Sequence, residues 1–315
     1  MTSGKKLVLL LSVFIALVGA SVVLLVVGKP MAKNANPLRD VQPTDLQKIV
    51  IENRALPLAV TLEQKNGVWR LTSPLVDETE EGTVKDLTSR LRTFSVGSSI
   101  SDKKDKHQRF KVNEEDATRV QVTISGKNVP VLNAYVGKMA DGFNDSYLRF
   151  SGEDSVRVAF GLPGYVLAQT ANAYRLKTLF PDAQADVRQV RLQSGKTSYS
   201  FSHSSQTWSA DGSTRPVEGT LMNQLFLRLN EIRVVEFQDS TATAPSTGFD
   251  QPFMSITIET TVQKTTVFGN ALPVPKGQEG QQKRYAKTES RDALFLVSAP
   301  SVANLVNLLK SFPNK

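Results

Sequence analysis

Two histidines, two pairs of close-set carboxylates and one dense basic run are the residues whose chemistry could make a site in this chain. A metal ion or a general base would be sought first at His107 and His203. Neither has a third ligand at a fixed spacing, so no metal site follows from them. His107 lies in the charged run SDKKDKHQRF, predicted to be a loop, and His203 ends a predicted strand beside a serine-rich turn. Asp77-Glu78 and Glu80-Glu81 are the paired carboxylates that acid–base chemistry would use. They stand before a predicted helix, where the dipole favours negative charge, and that is the role the sequence assigns to them. Lys103-Lys104-Asp105-Lys106-His107-Gln108-Arg109 reads as a solvated loop, with contact to lipid headgroups or an anionic polymer as the sharper alternative.

Other chemistries are excluded by what the chain lacks. It has no cysteine, which removes disulfides, thiolate nucleophiles, cysteine-based zinc sites and a lipid-modified cysteine. No G-x-S-x-G elbow and no G-x-x-x-x-G-K-[ST] phosphate loop occurs, and Gly161-x-x-Gly164 reads as a pair of turn residues. The sequence therefore assigns no catalytic, cofactor-binding or metal-ligating residue, calls for no cofactor, and is read as non-enzymatic. A formal charge of +8 over 315 residues is a mildly basic surface and not the footprint of a nucleic-acid binder.

The elements behind these residues begin with Leu7–Val27, LVLLLSVFIALVGASVVLLVV, which has no charge and no proline. As a helix it would be about 32 Å long, enough for a hydrocarbon core of about 30 Å. Lys5 and Lys6 precede it as in a secretory signal, and Val18-Gly19-Ala20 offers a small-residue cleavage site. The apolar run continues through Val22–Val27, so the segment is read as a retained anchor with the N-terminus inside. Residues 1–28 are thus tail and transmembrane anchor. Residues 29–43 are a linker, part of the proline-rich stretch GKPMAKNANPLRDVQP.

After the linker one pattern of elements occurs twice. Asp45–Ile51 alternates like a strand, and so does Asp186–Leu192. A second strand follows each, at Leu58–Gln64 and Ser198–His203, and then a strand holding Trp69 or Trp208. Asn66-Gly67 and Ser204-Ser205-Gln206 supply the hairpin turns. Glu81-Gly82-Thr83 matches Glu218-Gly219-Thr220, each opening an amphipathic helix, with Val84, Leu87, Leu91 and Phe94 on one face of the first and Leu221, Leu225, Leu229 and Ile232 on one face of the second. Arg119–Ile124 answers Met254–Ile258, Val136-Gly137 answers Phe268-Gly269, two more strands follow, and a helix closes each copy at Gly164–Leu179 and Ser301–Phe312. The expectation is an α+β fold: one N-terminal transmembrane helix, then tandem duplicated modules at 44–180 and 181–315, each an antiparallel sheet with helices packed against it. The matched tryptophans read as core residues, with sugar stacking as the alternative. Pro273–Arg284 is longer than its counterpart and reads as a mobile loop and a candidate partner contact.

The N-terminal span, Ile49–Ile51, Gly67–Pro74 (GVWRLTSP), the amphipathic helix, Tyr135-Val136-Gly137-Lys138 and Tyr147–Phe150 together resemble the bacterial domain-of-unknown-function 4340 family. That family brings no catalytic residues to carry over. Its members are often encoded beside ABC-type transporters of the gliding-motility or auxiliary-transport kind. The resemblance implies an accessory protein of the bacterial inner membrane, with its ectodomain in the periplasm or outside. Its partners would be the multispanning and ATPase subunits of such a transporter. A membrane-tethered module binding a small solute or a glycan is the alternative.

Overall fold

The computed structural model describes residues 36–56, 58–204, 207–211, 216–238 and 247–312. Alternation in the sequence becomes strand wherever an apolar face has something to cover. In β1 (Leu46–Asn53) Leu46, Ile49 and Ile51 point into the core, and Gln47 and Glu52 point out. Asn66 and Gly67 both have positive φ, 53° and 80°, and close the hairpin from β2 (Leu58–Lys65) to β3 (Val68–Ser73). The Ser204–Gln206 turn predicted for the second copy extends beyond the described residues.

The remaining strands are β4 (Asp77–Glu78), β5 (Ser95–Val96), β6 (Thr118–Ile124), β7 (Leu132–Met139), β8 (Asp145–Phe150) and β9 (Val156–Phe160). Then come β10 (Gln189–Ser194), β11 (Thr197–Ser204), β12 (Thr207–Ala210), β13 (Val234–Gln238), β14 (Met254–Glu259), β15 (Gln263–Ala271), β16 (Lys283–Thr288) and β17 (Arg291–Ser298). Three helices of more than two turns accompany them among the described residues: α1 (Glu81–Thr93), α2 (Gly219–Glu231) and α3 (Ala299–Leu309).

The chain forms two compact units. The first holds the described residues up to Ala59 together with Lys85–Gln169, and the second holds Val60–Val84 together with the described residues from Thr170. In the first unit the strands run β1-β6-β7-β8-β9-β5, and every pair is antiparallel. The second unit contains the ladder β4-β3-β2 and the eight-stranded sheet β12-β11-β10-β14-β15-β16-β17-β13. Element for element, β1-β6-β7-β8-β9-β5 runs in the same order as β10-β14-β15-β16-β17-β13. The core of the second unit gathers Val190 and Leu192 of β10, Ile256 of β14 and Phe268 of β15. Against these pack Met222, Leu225 and Leu229 of α2 and Val302 and Leu305 of α3.

The expected α+β class is corrected. The structure is mostly antiparallel sheet, in two large sheets of nine and eight strands, with few helices among the described residues. The closing helix expected over Gly164–Leu179 accounts for part of the difference. Only Gly164–Leu167 and Ala171–Tyr174 are helical, one turn each, and the backbone is extended at Arg175. Backbone partners in the second unit hold it so: the Leu176 N–H donates to the Glu78 carbonyl (2.9 Å), and the Val234 N–H to the Lys177 carbonyl (2.7 Å). Tertiary pairing outweighs a weak helical pattern. No helix among the described residues is long and apolar enough to cross a membrane, and the predicted span Leu7–Val27 lies outside the described residues.

Glycine matters at two matched places. At Gly137 of β7 an added Cβ would lie 2.2 Å from the Phe110 carbonyl oxygen, and at Gly269 of β15 it would lie 1.9 Å from that of Thr247. In each unit a loop crosses so closely over the sheet that a hydrogen atom is the largest side chain the strand can carry there.

Candidate functional site

The second unit buries three charged side chains drawn from distant parts of the sequence. Asp77 at the start of β4 is 4% exposed, Arg175 in the extended segment before β10 is 0% exposed, and Arg291 at the start of β17 is 8% exposed. Arg175 Nε donates to Asp77 Oδ2 at 2.6 Å. Arg291 Nε donates to Oδ1 at 2.7 Å and its Nη2 to Oδ2 at 2.9 Å, a two-pronged grip on the carboxylate. The Glu78 N–H adds a fourth bond to Oδ1 at 2.8 Å. Aromatic rings complete the surroundings. The Arg175 guanidinium lies 3.7 Å from the Phe237 ring centroid, and that of Arg291 lies 4.5 Å from Phe295.

Burial on its own would push the Asp77 carboxyl up. The hydrogen bond and charge of Arg291, and then those of Arg175, outweigh it and hold the group below the ordinary aspartate value. The cluster therefore carries two cations and one anion. A carboxylate held ionised by two guanidiniums is a poor proton acceptor, and its chemistry is that of a clamp.

Arg291 also lines a cavity of about 650 Å³, together with Thr265, Thr247, Phe249, Lys287 and Asp292. That volume lies within the range of small-molecule sites. Lys287 Nζ sits 4.8 Å from the Phe249 ring, and Glu289, another lining residue, accepts the Thr265 N–H at 3.1 Å. Arg291 Nη1 is buried with no hydrogen-bond partner among the described residues. The cavity presents both signs of charge, a lining suited to a polar solute.

The residues singled out from sequence fall in separate places. Asp77 and Glu80, expected to serve the dipole of α1, do other work. Asp77 is the clamped carboxylate, and Glu80 Oε2 meets the Lys177 N–H and Arg233 Nη2, both at 3.3 Å. His107, expected in a solvated loop, is 6% exposed in a helical turn at His107–Phe110, with Nε2 2.8 Å from the Asp154 carbonyl oxygen. His203 stacks on Trp208 at 4.7 Å across the β11–β12 pair. Trp208 is a core residue at 5% exposure, whereas Trp69 is half-buried. In the basic run, Lys103, Lys104 and Asp105 are exposed, and Lys106 pairs with Asp105 at 3.1 Å. In the Pro273–Arg284 segment, the Leu272 N–H bonds the Lys283 carbonyl at 2.8 Å and the Gln282 side chain bonds the Leu272 carbonyl at 3.0 Å. Arg175 and Arg291 escaped the sequence reading, because single arginines 98 and 214 residues from their carboxylate make no local motif.

A family model described as a domain of unknown function, DUF4340, matches residues 69–252. Neither a curated protein nor a solved structure matches the chain.

Proposed function

This chain belongs to the DUF4340 family, and from that premise we propose that it is a non-catalytic accessory subunit of a membrane complex, tethered through Leu7–Val27 and acting by protein contacts outside the cytoplasmic membrane. The observation that carries the reading is the use made of the buried charges in the second unit. Asp77 and Arg175 are buried against each other and Phe237, and Arg291, at the edge of the cavity, grips Asp77 from beside Phe295. They lock β4, the segment before β10 and β17 together, so the chemistry-bearing groups are committed to holding a surface in shape. The apolar run Leu7–Val27 has the length of a span, and a single span lines no pathway by itself. The complex that fits is an ABC-type transporter whose multispanning and ATPase subunits are separate chains, since no phosphate loop of the G-x-x-x-x-G-K-[ST] kind is present here. Purification of the tagged full chain from native membranes in a gentle detergent tests this. Multispanning and ATPase subunits should come with it, and recovery of the chain alone would refute the reading.

The cavity beside Arg291 favours a second reading, a tethered solute-binding module. Its volume of about 650 Å³ suits a ligand of small-molecule size. Tight binding of a polar solute that is lost on filling the cavity with Thr265→Trp would support it.

A further inference from the structure

The first unit leaves large apolar side chains exposed around one end of its sheet. Phe143 is 84% exposed, Tyr165 54%, Met139 51% and Phe160 48%. The backbone brings them to one end of the sheet, Met139 and Tyr165 on the side of Ser146 and Phe160 on the side of Asp145. Met139 ends β7 opposite Ser146, and Phe143 lies in the tight turn to β8, where the Asp145 N–H bonds the Gly142 carbonyl at 3.1 Å. Phe160 ends β9 opposite Asp145. Tyr165 follows Gly164, whose N–H donates to Ser146 Oγ at 2.8 Å. The charged neighbours are the exposed Lys138 and Asp141 and the half-buried Asp145, whose Oδ1 accepts the Gly161 N–H at 2.9 Å.

The described chain begins beside this end. The Asn36 side-chain amide donates to the carbonyls of Arg92 (3.1 Å) and Phe94 (2.9 Å). Ser95, the next residue, pairs with Phe160, and the Phe160 ring lies 2.9 Å from where a Cβ on Gly97 would be. Asn36 is therefore held at the β5 edge of the sheet, beside the strand that pairs with the Phe160 end of β9. Eight residues separate Asn36 from Val27, the end of the apolar run, and the nine steps across them reach at most about 30 Å.

We propose that Met139, Phe143, Phe160 and Tyr165 form a membrane-contact surface, seated in the lipid interface next to the point where the tether leaves the bilayer. The proposal rests on the tethered reading above. Aromatic and apolar side chains on a short loop suit the boundary between headgroups and acyl chains, where they sit about 5–10 Å deep. With no excess of cations around the patch, the attraction is apolar and does not weaken in salt. The contact would fix the unit on the membrane instead of letting it swing on its tether.

The absence of cysteine from the chain makes the test clean. The full chain, carrying Phe143→Cys or Val129→Cys labelled with bimane, is reconstituted in vesicles of zwitterionic and anionic phospholipid, some brominated on the acyl chains. Val129 is a matched control, 67% exposed in the turn before β7, at the opposite end of that strand. Flotation of the vesicles reads the tether, and quenching by brominated lipid reads the patch. Flotation with several-fold stronger quenching at position 143 than at 129, unchanged by high salt, supports the proposal. Flotation with equal quenching at both positions overturns the patch and leaves the tether standing. Failure to float overturns the tether and the patch with it. Tyr165→Cys, labelled in the same way, repeats the reading at a second patch position and should match position 143.

Discussion

Replacing Asp77 by Asn is the sharpest perturbation of the second unit, because it changes one atom and a charge inside a sealed cluster. The carboxylate accepts four hydrogen bonds, two on each oxygen. Asparagine keeps one acceptor, enough for the Glu78 N–H and Arg291 Nε. It turns an NH₂ group toward Arg175 Nε and Arg291 Nη2, so donors face donors and two buried cations lose their counter-charge. Removing one partner of a buried pair costs about 3–5 kcal/mol. At about 2–4 °C per kcal/mol for a unit of this size, the transition should fall by roughly 6–20 °C. The assay is thermal unfolding of the purified full chain in mild detergent, followed by circular dichroism. Acid supplies a second signature. The folded carboxyl titrates below its ordinary value, so its contribution is complete above an unfolded aspartate pKa of about 3.9. It is lost as the pH falls from there through the folded value. The gap between the wild type and Asp77→Asn should hold steady from pH 7 to pH 5 and narrow below about pH 4. A variant melting within about 2 °C of the wild type, against the 6 °C or more expected, or a gap that stays open in acid, would refute the clamp.

Two further outcomes follow from packing. Gly269→Ala and Gly137→Ala should each destabilise by about 1–3 kcal/mol or more, because the new methyl meets a backbone carbonyl at 1.9 and 2.2 Å; chemical denaturation checks this, and a neutral substitution would show that the crossing loops yield. Trp208→Ala should cost about 3–5 kcal/mol and Trp69→Ala about 1–2 kcal/mol, since only the first is a core residue; equal losses would show that the half-buried ring of Trp69 matters more than its exposure suggests.

The order of strands was legible because it is written in local pattern. Alternation at Asp45–Ile51 and Asp186–Leu192 and the Asn66-Gly67 turn report on residues close in sequence. Sequence pattern went wrong where distant partners decide the outcome. Residues 164–179 carry an apolar spacing that suits a helix, yet the pairing of Leu176 with Glu78 and of Lys177 with Val234 draws the chain out straight. The same holds for the charges. Asp77 beside Glu78 looks like an ordinary helix-start acid until Arg175 and Arg291 arrive from elsewhere. His107 looks solvated among lysines, and a helical turn buries it all the same.

The claim that this protein works by contact is tested most directly by photo-crosslinking in native membranes. A photoreactive residue is placed in turn at Val68, Val76, Leu227 and Val235, which are exposed apolar positions of the second unit at 64%, 69%, 58% and 56%. Contact with a membrane complex predicts a discrete adduct of higher mass from at least one of these positions, containing a multispanning or ATPase subunit. No adduct at any of them, from a chain that binds a polar solute tightly when purified, would contradict the account and leave the solute-binding reading in its place.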